Sequence, residues 1–269
     1  MHTLRTQPYL MKFYLYLKYG IMKCTGVIFT VFVSILIHSC ERSDEPVNHY
    51  EFVSEIVIPT SSPRGLASDG DYLWYSDDSL QTLNKIAADG RILKTIKLTN
   101  CKIAGFDFAH EFIWCINDTT VLYDTTLSPY PFSCIYKLSL SGDKIDSILI
   151  RAAVNPEKPE FPGLTVKGNN ILGSTNQGYS SCLYMIDLHS KEKIFLRYLY
   201  LAGLATHNDT IYCIDKSHLK ANWIVPLDTD YQIIEDESVE IDFQATDLTF
   251  IHDDLWLCDR KNKTLRKLK

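Results

Sequence analysis

The strongest constraint on how this chain can fold is a repeat that aligns five times without a gap. The copies start at Gly65-Leu66-Ala67, Gly105-Phe106-Asp107, Gly163-Leu164-Thr165, Gly203-Leu204-Ala205 and Asp247-Leu248-Thr249. Nine positions after each first residue stand Trp74, Trp114, Leu172, Tyr212 and Trp256. Each follows an aliphatic residue: Leu73, Ile113, Ile171, Ile211 or Leu255. Three positions further on come Asp77, Asn117, Thr175, Asp215 and Asp259. Agreement in three columns over five copies is not a product of chance.

Each copy reads locally as strands. A short apolar run leads through a polar turn such as Ser68-Asp69-Gly70-Asp71 to Tyr72-Leu73-Trp74-Tyr75, whose residue types suit a pleated surface. A third run alternates, as in Leu83-Asn84-Lys85-Ile86 or Ile135-Tyr136-Lys137-Leu138. A Gly-containing turn (Ala88-Asp89-Gly90, Ser141-Gly142-Asp143) then opens a fourth, Ile92–Leu98 or Lys144–Ile150. No segment keeps a 3.6-residue apolar period over eleven residues. Four antiparallel strands repeated every 40 to 58 residues predict an all-β chain, a five-bladed β-propeller, with six blades as the alternative count. The fifth copy ends after its third strand, Leu265–Leu268. The alternating run Glu51–Pro59, ahead of the first copy, is expected to supply the missing strand and close the ring, because an open blade would expose an unpaired edge.

Asp71-Tyr72-Leu73-Trp74-Tyr75-Ser76-Asp77 and Asp254-Leu255-Trp256-Leu257-Cys258-Asp259 are the stretches most similar to NHL-like propellers. The pattern also resembles propellers of the gluconolactonase and glutamine-cyclotransferase types. The gluconolactonase resemblance implies a divalent ion at the channel, for which Asp77, Asn117, Asn176 and Asp215 are the candidates, and oxygen donors of this kind suit calcium. The acid of that family near the first inner strand has no counterpart, since Arg64 precedes Gly65. The cyclotransferase resemblance implies an acid or amide just before each Gly-Leu pair, and here Arg64, Ala104, Pro162, Ala202 and Thr246 stand there. An enzyme of lactonase or cyclotransferase type acting at the channel is the alternative to a binding protein. The same Asp/Asn column has a plainer reading, as side chains that accept backbone N–H bonds in the following turn.

Ahead of the repeats lies a different kind of sequence. Residues 1–39 carry Arg5, Lys12, Lys18 and Lys23 and no acid. Met22-Lys23, the apolar run Val27–Ile37 and Ile37-His38-Ser39-Cys40 have the parts of a secretory signal. The end resembles the lipobox of bacterial lipoproteins, in which the Cys is lipidated, with His38 at a position where small or apolar residues are usual. The expected organisation is a signal segment over 1–39 (with Met22 the more natural start), a lipid-anchored tether over 40–49 and a propeller over 50–269. A transmembrane anchor is the competing reading, against which Lys12, Lys18 and Lys23 interrupt the apolar stretch. Glu41-Arg42-Ser43-Asp44-Glu45-Pro46 suits a tether and resembles the surface-export signal of Bacteroidetes lipoproteins. The expected location is the cell envelope, on the outer membrane through a lipid at Cys40, facing either the surface or the periplasm.

With four bases set aside in the leader, the body is more acidic than the chain's net charge of −6. It has no basic stripe, which argues against nucleic acid. Cys101, Cys115, Cys134, Cys182, Cys213 and Cys258 make no C-x-x-C pair, so a zinc or thioredoxin-like site is disfavoured. Cys115, Cys213 and Cys258 read as small buried hydrophobes, while Cys101 with Cys134 is left open as a disulfide. His110, His207 and His252 fall in equivalent first turns and read as solvated. The second copy is longer by an insertion, Thr119–Ser133, rich in aromatic and proline residues. Long loops on a regular scaffold commonly carry function, and the alternative is a loop folded over the neighbouring blade to cover apolar edges. A sugar, peptide or protein partner is therefore expected at the face of the second-to-third-strand loops. The candidate contacts are Arg64, Tyr123, Tyr130, Asn176, Tyr179, Lys216 and His218.

Overall fold

The computed structural model describes residues 50–60, 62–99, 101–121, 132–151, 163–175, 182–216 and 222–269. Among these residues, twenty strands form five four-stranded antiparallel sheets. Blade 1 holds β2 (Pro63–Ser68), β3 (Leu73–Asp77), β4 (Thr82–Ile86) and β5 (Ile92–Lys97). Blade 2 holds β6 (Ile103–Ala109), β7 (Phe112–Val121), β8 (Phe132–Leu138) and β9 (Lys144–Arg151). In blade 3 these are β10 (Leu164–Lys167), β11 (Asn170–Thr175), β12 (Cys182–Asp187) and β13 (Lys193–Tyr198). Blade 4 follows with β14 (Leu201–His207), β15 (Thr210–Asp215), β16 (Asn222–Leu227) and β17 (Val239–Ile241). The last blade takes β18 (Ala245–Ile251), β19 (Asp254–Asp259), β20 (Thr264–Leu268) and, from the other end of the fold, β1 (Phe52–Val57). Among the described residues the one helical element is a short 3-10 turn at Glu235–Glu237, and no helix is long and apolar enough to cross a membrane.

The expected closure is present. β1 pairs antiparallel with β20 from Phe52↔Leu268 to Val57↔Thr264. Glu51 and Lys269 exchange both backbone hydrogen bonds just beyond the pair.

Each blade is covered on both faces by its neighbours, so β3 is buried along its whole length instead of alternating. The core is accordingly five seams between blades. Trp74, Leu83 and Ile96 of blade 1 meet Phe106, Ile113 and Leu138 of blade 2. Trp114, Ile116 and Ile135 meet Leu164, Ile171 and Ile186 of blade 3. Leu172 and Leu183 meet Leu204, Ile211 and Leu227, and Ile214 and Ile224 meet Leu248 and Leu255. Ile56, Ile58 and Leu265 close the ring against Leu66, Leu73 and Tyr75. The aromatic column of the repeat is thus a set of wedges between sheets.

The glycine column has another cause. A Cβ on Gly65 would stand 2.7 Å from Ala104 O, and one on Gly105 2.6 Å from Leu164 N. On Gly163 it would meet Gly203 C at 2.7 Å, and on Gly203 the Asp247 Cα at 2.7 Å. Neighbouring inner strands touch backbone to backbone at the waist of the ring, where no side chain fits. Pairing between first and second strands slips at this point in blades 1, 2 and 4, so the glycine sits in a bulge; in blade 5 the slip falls at Thr246, just before Asp247.

Two sequence expectations change, and the question of a Cys101–Cys134 bridge is answered. The insertion does not begin where the second strand was expected to stop: β7 runs on to Val121, which pairs with Phe132, so part of Thr119–Ser133 is strand. Past Asn117 the strand runs through an irregularity before pairing resumes at Val121. Cys101 and Cys134 are free thiols, as are the other four body cysteines, and all six are buried. The Cys101 thiol beside it, together with burial, pushes Cys115 well above the usual thiol range. His207 is packed instead of solvated: its ring stacks on Phe250 at 4.4 Å, and its Nε2 lies 3.3 Å from Asp253.

Candidate functional site

The two ends of the ring differ in their connections. On one face the first-to-second-strand turns are tight, as at His110-Glu111 and Asn208-Asp209, where both residues take the positive φ that a two-residue hairpin with right-handed twist needs. The opposite face carries the second-to-third-strand connections and the crossings between blades. From it leave the segments 122–131 and 152–163, the longest on this face, and the six-residue segments 176–181 and 216–221, all belonging to blades 2, 3 and 4. The turn face carries 228–238 and the five-residue connections 87–91, 139–143 and 188–192.

Arg64 and Lys216 stand at the loop face. Arg64, on β2, places Nη1 3.3 Å from Asp78 Oδ2. Arg260 of blade 5 approaches the same oxygen at 3.9 Å and donates to Ser62 Oγ at 2.9 Å. Two guanidinium groups therefore share one carboxylate at the seam of blades 5 and 1. Lys216 follows β15, its backbone N–H donating to Tyr200 O at 2.8 Å. Tyr123, Tyr130, Asn176, Tyr179 and His218 lie outside the described residues, as does Cys40.

The Asp/Asn column lies just beneath this face and is buried. Asp77 Oδ1 accepts from the N–H groups of Ser79 and Leu80 at 2.8 and 3.0 Å. Asp259 accepts from Asn262 N–H at 3.0 Å and from Asn262 Nδ2 at 2.8 Å. Asn117 Oδ1 accepts from Lys102 N–H at 3.0 Å. These oxygens hold turns and crossings of their own seams. Among the described residues no group of three or more His, Cys, Asp and Glu side chains could hold a metal ion. Asn176 is not among the residues described.

Sequence reasoning missed two buried carboxylates on the inner strands, Asp107 and Asp247. Asp107 sits on β6 at the wall of a cavity of about 260 Å³, together with Ser68, Thr165, Thr206 and Thr249. Its Oδ2 accepts from Val166 N–H at 2.8 Å and from Thr165 Oγ1 at 2.9 Å, which ties blade 2 to blade 3. Thr165 and Thr206 hydroxyls then lie 3.0 Å apart across the next seam. Asp247 replaces the column glycine in blade 5, and its Oδ2 accepts from Leu66 N–H of blade 1 at 2.8 Å. The signal was visible in the alignment: Asp247 breaks the glycine column, and Asp107 stands where the other copies have Ala or Thr.

Burial dominates both groups. It pushes Asp107 up to about 6, against the opposing hydrogen bonds from Val166, Thr165 and Phe108. Burial, with the Asp107 charge added, pushes Asp247 well above the carboxylate range. Both native carboxyls hold protons that the unfolded chain releases near pH 4. Their contribution to stability is therefore complete below that pH and falls as pH rises through the native values. For Asp107 the window runs from about 4 to 6 and spans roughly 2–3 kcal/mol at most. Urea midpoints are expected to fall across that window, and Asp107→Asn is expected to flatten the slope there. A midpoint that rises steadily from pH 4 to 6 would contradict the assignment.

No family model matches the chain, and no curated protein matches it in sequence. Solved structures do match in fold, and they define the class of architecture as the β-propeller. The glutaminyl cyclase of Myxococcus xanthus superposes with a TM-score of 0.58 at 11% identity, over 84% of this chain and 98% of that one. The PQQ-bound aldose sugar dehydrogenase of Streptomyces coelicolor follows at 0.52 and 11%, covering 83% and 99%. The nidogen/laminin complex reaches 0.52 at 12%, over 75% and 73%. At these identities the likeness is one of fold.

Proposed function

We propose that this chain is a lipid-anchored, extracytoplasmic β-propeller that binds a sugar, peptide or protein partner at its loop face. One observation carries the reading: the connections 122–131, 152–163, 176–181 and 216–221, the first two of them the longest on this face, leave adjacent blades on the same end of the ring. A rigid scaffold that gathers long segments at one end is the usual arrangement for recognition. Tyr123, Tyr130 and Tyr179 lie within these segments, with Asn176, Lys216 and His218, and Arg64 stands on the neighbouring blade 1. Aromatic rings with amide and charged groups suit a polar ligand that has an apolar face. Anchoring rests on the signal-like segment ending at Cys40, and on the polar residues 41–46 as spacer.

Two measurements test the proposal. In detergent phase separation the full chain is expected in the detergent phase and Cys40→Ala in the aqueous phase. Equal partitioning of both would rule out the lipid. In a thermal-shift screen over oligosaccharides and peptides, ligand at one hundred times Kd stabilises by about 2.7 kcal/mol, which for a domain of this size is roughly 5–10 °C. The shift is expected to vanish in a Tyr123→Ala, Tyr130→Ala variant. A shift that survives there places binding elsewhere.

A further inference from the structure

The repeat makes each blade a control for the others, and one comparison exposes an incomplete site on the turn face. Three blades carry a tryptophan on the second strand directly opposite a lysine on the third: Trp74↔Lys85, Trp114↔Lys137 and Trp256↔Lys267. In blade 1 Asp69 Oδ2 accepts from both Trp74 Nε1 and Lys85 Nζ, each at 2.7 Å. Lys85 meanwhile lies 4.0 Å above the Tyr72 ring. In blade 5 Lys267 Nζ pairs with Asp254 at 2.6 Å.

Blade 2 keeps the aromatic and cationic parts. Lys137 Nζ lies 3.7 Å above the Phe112 ring and 5.3 Å from the centre of Trp114. No acid stands at the place of Asp69, which Ala109 takes. Asp146, opposite Lys137 across the sheet and within reach of its charge, is hydrogen-bonded instead by Lys191 at 2.8 Å. Trp114 is only 6% exposed, and its indole Nε1 is buried without a hydrogen-bond partner. A buried N–H left in this state costs free energy that any acceptor would recover.

This orphaned donor belongs to a side chain that lines a cavity of about 410 Å³ between blades 2 and 3, together with His110, Lys137, Asp146, Asn169 and His189. The rim is tied at two points, where His110 Nε2 meets Gly168 O at 2.9 Å and Lys191 bridges to Asp146. The walls are thus held by contacts between blades, and the cavity has room for more than a carboxylate.

We propose that this pocket binds a small organic carboxylate, one oxygen of which takes the position that Asp69 Oδ2 occupies in blade 1. The oxygen accepts from Trp114 Nε1 and Lys137 Nζ, a charge-assisted pair of the kind blade 1 builds internally. Lys137, lying over both rings, moves aside to admit it. His110, Asn169 and His189 then face the body of the ligand with groups that suit hydroxyls and amides. A sugar acid and the C-terminus of a short peptide share this chemistry.

Indole N–H signals of the ¹⁵N-labelled full chain read the site directly, with the Trp114 signal assigned by its loss in Trp114→Phe. Sodium acetate, sodium glucuronate and N-acetyl-dialanine are titrated at constant ionic strength, with chloride and the dialanine amide as controls. The Trp114 signal is expected to shift saturably with a carboxylate and not with the controls. Lys137→Met is expected to weaken binding about tenfold, as loss of a charged hydrogen-bond partner does. Ala109→Asp supplies the acid from within, so it is expected to abolish binding and raise the melting temperature. A response to glucuronate alone identifies sugar acids, and one to the peptide acid alone identifies chain termini. A Trp114 signal unmoved by all three acids would overturn the proposal. So would equal shifts with the amide or chloride, or undiminished binding in Lys137→Met.

Discussion

Deleting residues 50–58 is expected to abolish cooperative folding, although the deleted segment contains no residue of the fivefold repeat. β1 is the outer strand of blade 5; its Ile56, and Ile58 just after it, 6% and 2% exposed, enter the seam with blade 1. Two fully buried isoleucines are worth roughly 5 kcal/mol, and the ladder to β20 adds about 1 kcal/mol per hydrogen bond. That loss is comparable to the whole stability of an ordinary domain, about 5–15 kcal/mol. It also turns β20 into an open edge, ready to pair with another chain. Calorimetry of the deletion variant is expected to show no sharp unfolding peak, and a synthetic peptide spanning 50–60 should restore one. A deletion variant that melts sharply at the original temperature would show that the ring does not depend on this strand.

The second large effect is expected at the waist. In Gly163→Ala the new methyl would lie 2.7–2.8 Å from Gly203 C, Gly203 Cα and Leu204 N, all of them backbone atoms of the next inner strand. Relief needs movement of β14, which is held by β15 on its other side. A cost of about 3 kcal/mol is expected from such overpacking, or roughly 6–12 °C in melting temperature. Gly168→Ala in the same blade is the matched control. Its φ is +58° with nothing within 4 Å of the added carbon, so only the left-handed strain of about 1 kcal/mol applies. Equal losses in the two variants would mean that backbone strain, not contact between blades, explains the glycine column.

The fold was legible because its determinants are local and repeated. Apolar alternation, Gly-containing turns and an aromatic column each recur at fixed offsets, so five weak signals reinforce one another. The closure could be read for a similar reason: a last copy with three strands and a leading strand with no copy imply each other. The site was less legible. Arg64 and Lys216 do stand on the face from which the long connections leave, as their offsets in the repeat imply. Asp107 and Asp247 were passed over because each looks like an ordinary polar residue at the edge of an apolar run.

What the chain determines by itself is therefore the strand order, the blade boundaries, the partner of β20 and the end of the ring where long segments emerge. All of these follow from periodicity and chain connectivity. Only the tertiary structure decided why the glycines stand in a column, where the acids of the inner strands find their donors, and that Trp114 lacks the acceptor that Trp74 has. The physical reason is common to all three. Each depends on atoms that different blades or different strands bring within 3 Å, and hydrogen bonding and steric contact at that range depend on spatial neighbours that the order of residues along the chain does not specify.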